Sequence, residues 1–176
     1  MSVNITTVEE LDAIRDDLTE DYILQNDLDF DDDASYDDPD NKEDYTTGSG
    51  WTPIGTSASP FTGSFEGQEY TISNLFVDRT STDQIGLFGT ITGTVNKLKL
   101  ATPSLSGQLD VGGVAGYVTG GTGAITQCGT IGGTVVGDNI TGAIVGRLGW
   151  TGGAGTATEC YSLGTEVSSR INGGGL

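Results

Sequence analysis

The sequence predicts an all-β protein, a parallel β-helix or β-solenoid with a short N-terminal capping helix. A glycine-bounded apolar element recurs in the second half of the chain, with starts 27, 30 and 32 residues apart. A fixed period of this size is typical of repeat architectures. The chain also has 29 glycines, which favour short strands joined by tight corners. We therefore expect a stack of similar coils.

The repeats predict which side chains stack inside the solenoid. The glycine-bounded element occupies residues 86–89, 113–116 and 143–146, with an incomplete copy at 175–176, and a strand-turn-strand signature occupies 70–77, 93–100, 123–130 and 155–162. Equivalent residues of successive parallel coils lie about 4.8 Å apart. The predicted ladders are Ile72, Val95, Ile125 and Ala157; Leu75, Leu98, Cys128 and Cys160; and Leu87, Val114 and Ile144.

These repeats carry a resemblance to a known family. The strands YTISNL and TVNKLKL, the elements GLFG and GVAG, and the closing strand CYSLGT are similar to the GLUG-motif repeats of bacterial surface proteins, adhesins and the non-catalytic parts of some immunoglobulin A peptidases. The resemblance implies a structural or adhesive solenoid, extracellular or on a virion surface, that binds a protein or glycan on a host or cell surface. The alternatives are a subunit of a self-assembling filament or phage or virus appendage, and a polysaccharide-cleaving β-helix enzyme.

The N-terminal segment is expected to close one end of the solenoid. Thr7 and Glu10 form a capping-box pattern, and apolar residues follow at helical spacing. Residues 5–21 are therefore predicted to be a cap and residues 22–30 the first strand. We divide the chain into 1–54, comprising the cap, the first strand and an acidic loop, and 55–176, the repeats, within one continuous domain.

The charge of the chain is concentrated near its start. The net charge is −18, and 17 of the 25 acidic side chains lie in residues 1–45. No basic face is visible, so nucleic acid is not expected as a partner. No apolar run reaches the length of a membrane span, and the chain as given shows no signal-peptide pattern.

The acidic loop contains a candidate calcium site. Asp29, Asp31 and Asp33 alternate with other residues and Asp40 follows, which resembles a loop of hard oxygen ligands. An EF-hand would have glycine where Ala34 stands and usually glutamate where Asp40 stands. Calcium is the candidate cofactor, and a solvated insertion without a ligand is the alternative.

Aromatic and cationic side chains suggest a binding surface. The candidates are Trp51, Tyr117, Arg147 and Trp150. Two interpretations of Trp51 stay open. It closes the core of the first coil together with other aromatic residues, which we prefer, or it forms a carbohydrate-stacking platform with Tyr45.

The residue inventory predicts that the chain is not an enzyme. It contains no histidine, which removes the usual triads and typical zinc sites. It also lacks phosphate-binding glycine loops. The acids of the repeats are sparse, and paired carboxylates in one register are missing. We therefore expect no hydrolase or lyase activity on polysaccharides.

Two further expectations concern the last repeats. Cys128 and Cys160 occupy the same phase of neighbouring coils, where their Cβ vectors run nearly parallel, so we expect free thiols and no disulfide. The C-terminal solenoid edge is expected to present unpaired strand groups. We therefore expect it to contact downstream repeats or a neighbouring subunit.

Overall fold

The fold was obtained as a computed structural model that describes residues 2–32, 48–149 and 153–170. Within these residues the chain forms short strands, one α-helix and one 3-10 helix. The helices are α1 (Val8–Asp12) and the 3-10 helix Ala13–Asp16. The strands are β1 (Val3–Ile5), β2 (Asp21–Leu24), β3 (Leu28–Asp29), β4 (Ser64–Glu66), β5 (Thr71–Ser73), β6 (Phe76–Asp78), β7 (Phe88–Ile91), β8 (Thr94–Asn96), β9 (Lys99–Ala101), β10 (Ser104–Ser106), β11 (Leu109–Gly112), β12 (Ala115–Val118), β13 (Ala124–Thr126), β14 (Gly129–Ile131), β15 (Thr134–Gly137), β16 (Asn139–Gly142), β17 (Val145–Leu148), β18 (Thr156–Thr158), β19 (Tyr161–Leu163) and β20 (Glu166–Ser169).

The strands assemble into five parallel sheets that form the faces of a solenoid. The first face has the order β1-β2-β4-β8-β13-β18, the second β3-β5-β9-β14-β19, the third β6-β10-β15-β20, the fourth β11-β16 and the fifth β7-β12-β17. From β4 onward, consecutive strands lie on successive faces, except that no strand occupies the fourth face between β6 and β7. Each strand pairs with the equivalent strand of a neighbouring coil. The predicted parallel β-solenoid with one short helix is confirmed.

The N-terminal helix covers the start of this stack. Val8, Leu11 and Ile14 are fully buried, because their helical spacing places them on one side of the helical segment. The Thr7 hydroxyl accepts the amide of Glu10 at 3.2 Å, as the capping pattern predicts. The Glu10 carboxylate instead accepts from the amide and hydroxyl of Thr6. The predicted cap is present, and β1 precedes it.

Two of the predicted ladders need one correction each. Val95, Ile125 and Ala157 stack as predicted, but the residue that precedes them is Phe65. Ile72 lies instead on the second face, opposite Leu100. The reason is that the signature at 70–77 falls on β5 and β6, whereas the other three copies fall on a first-face strand and the second-face strand after it.

The cysteine ladder is otherwise as predicted. The backbone pairing aligns Leu98 with Cys128 and Cys160. Tyr70, and not Leu75, precedes Leu98 in this row, since Lys99 donates its amide to the Tyr70 carbonyl. The ladder Leu87, Val114 and Ile144 follows the predicted register.

The largest buried side chains lie in the first coils. Trp51, Phe61, Phe65 and Phe88 are all 1% exposed or less. Phe61 and Phe88 have ring centroids 5.1 Å apart, and Phe65 meets Phe88 edge-on at 5.7 Å. Burying each such side chain contributes about 1.5–3 kcal/mol. Residues before and after position 54 share this core. The predicted division of the chain into residues 1–54 and 55–176 stays a prediction.

A glycine column marks the corner that leads into the first face. A Cβ added to Gly63 would collide with the carbonyl of Glu20, and one added to Gly93 would collide with the carbonyl of Gly63. The backbone of the preceding coil therefore leaves no room for a side chain at this corner.

Candidate binding surface

A shallow cavity opens at the corner between the first and second faces. Its volume is about 480 Å³, and it is lined by Glu66, Gln68, Glu69 and Lys97. Gln68, Glu69 and Lys97 have φ values of 51°, 69° and 50°. This left-handed backbone is uncommon for residues with side chains, and it turns the chain sharply between the two faces. The turn after β4 therefore supplies the wall of the cavity.

Ion pairs between coils line this corner. Lys97 Nζ lies 3.6 Å from Glu66 Oε1, and Lys99 Nζ lies 3.0 Å from Glu69 Oε2. Asn96 also donates to Glu66 at 2.8 Å. The pKa of Lys99 is raised, chiefly by its hydrogen bond to Glu69, against the opposing effect of slight desolvation. Each ammonium group thus has a carboxylate partner.

An aromatic side chain lies on the second face next to these pairs. Lys99, Gly129 and Tyr161 occupy equivalent positions on β9, β14 and β19. A Cβ added to Gly129 would fall against the ring of Tyr161 at Cζ, Cε1 and Cε2. The ring therefore lies across the sheet over the glycine, with its hydroxyl end towards Lys99. Tyr161 is 37% exposed. We call Glu66, Gln68, Glu69, Lys97, Lys99 and Tyr161 the corner surface.

The corner surface was not predicted from the sequence. In the sequence, Gly129 cannot be distinguished from the other glycines of the repeats. Only the strand register shows that Tyr161 lies beside it. The one signal in the sequence is the spacing of 32 residues between Gly129 and Tyr161, which equals the length of the last coil.

Trp51 does not belong to a surface. Its side chain is fully buried, and its indole nitrogen donates to the Leu87 carbonyl at 3.0 Å. Phe30 packs edge-on against it at 5.4 Å, and the Arg15 guanidinium lies 4.3 Å from its ring centroid. Of the two interpretations of Trp51, the structure shows the core position. Tyr45, its proposed partner in a stacking platform, lies outside the described residues.

Tyr117 and Arg147 do lie together, on the fifth face. They are register partners on β12 and β17, and the guanidinium lies 5.8 Å from the tyrosine centroid. Arg147 Nε is 2.8 Å from Asp110 Oδ1, and the Asp110 side chain is only 5% exposed. Burial raises the pKa of Asp110, Arg147 opposes this effect and Asp83 adds to it. Trp150, the remaining predicted member, lies outside the described residues.

The predicted calcium ligands fall partly outside the described residues. Asp33 and Asp40 lie there. Asp29 uses Oδ1 to accept from the amide of Asp31 at 3.0 Å and from Asn74 at 2.7 Å, so it fastens the start of the loop to the next coil. In the part of the chain that the structure describes, no three His, Cys, Asp or Glu residues are grouped as metal ligands. The calcium site stays a prediction.

Two sequence relatives were found. The chain is 36% identical over 133 residues to halomucin of Haloquadratum walsbyi, which covers 73% of this chain and 1% of halomucin. It is 39% identical over 100 residues to a "putative Gly-rich membrane protein" of Evansella cellulosilytica, which covers 54% of this chain and 10% of that protein. The chain thus spans a small part of each relative. No protein-family model matches, so the likeness to GLUG repeats stays a resemblance.

A solved structure shares the fold. It is described as a "putative immunoglobulin A1 protease" from Bacteroides ovatus, with a TM-score of 0.67 and 23% identity, and the match covers 92% of this chain and 47% of that one. At this identity the likeness supports the solenoid fold alone. Among the described residues, no helix has the length and apolarity needed to cross a membrane.

The prediction that the chain is not an enzyme is wrong by this comparison, because a protein with the same fold is described as a protease. That prediction counted histidines and acids within one chain. Such a count excludes histidine-dependent chemistry by these residues. It does not exclude other catalytic groups or catalysis by a longer protein.

Proposed function

We propose that the chain is a β-solenoid module of a longer, surface-displayed protein and that it binds a partner through the corner surface. The observation that carries this proposal is the exposed Tyr161 ring, directed towards the Lys99–Glu69 pair whose glutamate lines an open cavity. Exposed aromatic side chains next to fixed polar groups are typical of binding sites. The names of the two relatives, a halomucin and a membrane protein, support a location at a cell surface.

The solenoid holds this surface in place before a partner arrives. The backbones that carry Glu66, Lys99 and Gly129 are hydrogen-bonded to coils on both sides. Binding would therefore order few side chains, and a preorganised site loses less entropy on association. The interaction partner would be a protein or a glycan outside the cell.

A binding panel tests this proposal. The full chain is applied to immobilised mucin, fibronectin, collagen and a printed array of neutral and anionic glycans. We expect saturable binding to at least one of them, weakened by Tyr161→Ala. Tyr117→Ala is the matched control, since it removes a partly exposed tyrosine from the fifth face. Binding that Tyr117→Ala abolishes and Tyr161→Ala leaves intact would contradict the proposal, as would an absence of saturable binding.

Association through the solenoid edge is a second candidate function. In the described part of the chain, β18, β19 and β20 each pair on one side, with β13, β14 and β15. Ala157 continues the inner ladder of the first face and is nevertheless exposed. An open strand edge is a template for strand addition. Sedimentation across a concentration series should show self-association that Ala157→Lys abolishes, and a strictly monomeric wild type would contradict it.

A further inference from the structure

The Tyr161 ring is built as a flat platform. Because Gly129 has no side chain, the ring can lie across β14 instead of standing away from the sheet. Its equivalents on the preceding coils, Thr71 and Lys99, are not aromatic. One face of the ring is thus covered by protein. The exposed part of the side chain, 37%, is directed to solvent.

The charges beside the platform cancel in pairs. Lys99 is paired with Glu69, and Lys97 with Glu66, in a chain whose net charge is −18. A strongly charged ligand would have to separate one of these pairs or meet a like charge. An uncharged ligand that offers hydroxyl groups can bind both the ammonium and the carboxylate groups without breaking the pairs.

The chemistry around the ring disfavours a protein interface at this place. The centres of protein interfaces are depleted in charged side chains, yet the hydroxyl end of the Tyr161 ring is directed towards Lys99, which is paired with Glu69. The exposed apolar residues Ile131 and Leu163 lie two residues further along β14 and β19, at the flank of the ring. The platform therefore has an apolar flank, and its hydroxyl end is directed towards a hydrogen-bonding pair.

We propose that the corner surface binds a neutral saccharide, with one sugar ring stacked on Tyr161 and its hydroxyl groups bound by the Lys99–Glu69 pair. The C–H face of a sugar ring is electropositive and complements the negative face of an aromatic ring. The cavity of about 480 Å³ beyond the pair lies within the ordinary range for small-molecule sites, about 300–1,000 Å³. It would take the next sugar units of the chain. This inference rests on the proposed function and names its ligand class.

The test uses the full chain, a printed array of neutral and anionic glycans, and titration calorimetry with the strongest neutral ligand. We expect a neutral oligosaccharide to bind best. Tyr161→Ala should weaken binding at least tenfold, and Tyr161→Phe should retain it. Gly129→Ala keeps the tyrosine but lifts its ring off the sheet, so it should also weaken binding. Tyr117→Ala should have no effect.

Three outcomes would overturn the inference: no binding of neutral glycans, a preference for anionic glycans, or neutral-glycan binding that survives both Tyr161→Ala and Gly129→Ala. Its failure is distinguishable from failure of the proposed function. Tyr161-dependent binding to a panel protein that persists after enzymatic deglycosylation of that protein, without binding to neutral glycans, would overturn the saccharide and leave the corner surface as a binding site. Circular dichroism of each variant confirms that the fold is intact.

Discussion

On the first face, the inward side chains are aromatic at Tyr22 and Phe65, aliphatic at Val95 and Ile125, and small at Ala157 in the last described coil. Tyr22 and Phe65 are at most 5% exposed, whereas Ala157 is exposed. The apolar core is therefore thick in the first coils and thin in the last. The parallel strand pairing continues across all of them.

On the second face, polar side chains take the inward positions in the later coils. Its inward residues change from Ile72 and Leu100 to Thr130 and Ser162. Thr130 is fully buried, and its hydroxyl is 3.1 Å from those of both Ser162 and Thr165. Buried hydroxyl groups need such partners. In the inward row of the second face, hydrogen bonds between hydroxyl groups thus replace the apolar contacts of the earlier coils.

The outward side chains of the same face become more apolar towards the last coils. The outward positions change from Ser73 and Ala101 to Ile131 and Leu163, which are 38% and 59% exposed. Apolar surface that the first coils bury is presented to solvent by the last. Within the described residues, the early coils thus bury large apolar side chains, whereas the last two coils present Ile131 and Leu163 to solvent.

The largest expected effect comes from truncating the thick core. Phe65→Ala should lower the free energy of unfolding by about 3–5 kcal/mol, because it leaves a cavity among packed aromatic side chains. Val167→Ala, in the last coil, should lower it by about 1 kcal/mol or less, since Val167 is only half-buried and loses little burial. Urea denaturation measures both variants. Equal losses of unfolding free energy in the two variants would contradict the difference in core packing between the early and late coils.

Thiol labelling compares two neighbouring coils at equivalent positions of one ladder. Cys128 is fully buried and Cys160 is partly exposed, and both thiols are free, as predicted. Burial raises the pKa of Cys128 to about 12, which keeps its reactive thiolate scarce. Native protein treated with iodoacetamide at pH 8 should be labelled at Cys160 at least about tenfold faster than at Cys128. Denatured protein should react at both sites, and a native Cys128 that reacts as fast as Cys160 would contradict this prediction.

The Asp110–Arg147 pair gives a smaller, pH-dependent effect. Because the pKa of Asp110 is raised in the folded state, the native protein holds this proton at pH values where the unfolded chain has lost it. The stability contributed by Asp110 is present below the ordinary aspartate pKa and is lost as the pH rises through the raised one.

Asp110→Asn removes this titration. We therefore compare the free energy of unfolding of the variant with that of the wild type. The difference, variant minus wild type, should grow as the pH rises through this range and then level off. Asp138→Asn is the matched control, since Asp138 pairs with Arg170 in a more exposed position. A difference that falls with rising pH would show that the pair, and not burial, dominates the pKa of Asp110.

Much of the fold could be predicted because repeat spacing equals coil length. Leu98, Cys128 and Cys160 were placed in one ladder from spacing alone, and the backbone pairing agrees. The prediction failed at Ile72, because the signature at 70–77 covers β5 and β6, whereas the later copies cover a first-face strand and a second-face strand. Short strands on neighbouring faces have similar sequence patterns, so the pattern alone does not show which face a strand occupies.

The candidate site was mostly beyond sequence reasoning. Tyr117 and Arg147 are register partners, and their role in binding stays a prediction. Trp51 occupies the core, the interpretation that we preferred, and its indole N–H donates to the Leu87 carbonyl. The residue type alone does not show whether a tryptophan is buried. The platform of Tyr161 on Gly129 depends on the absence of a side chain one coil away. Such a feature is visible only once the strand register is known.

Native-state hydrogen exchange, followed coil by coil, tests the central claim most directly. If the core thins along the solenoid, the amides of β18, β19 and β20 should exchange through a local opening of the last coil, with far weaker protection than those of β4 and β8. Their exchange should also depend less on added urea, because that opening exposes little surface. Equal protection and equal urea dependence across β4, β8 and β18 would show a single cooperative unit and contradict the account.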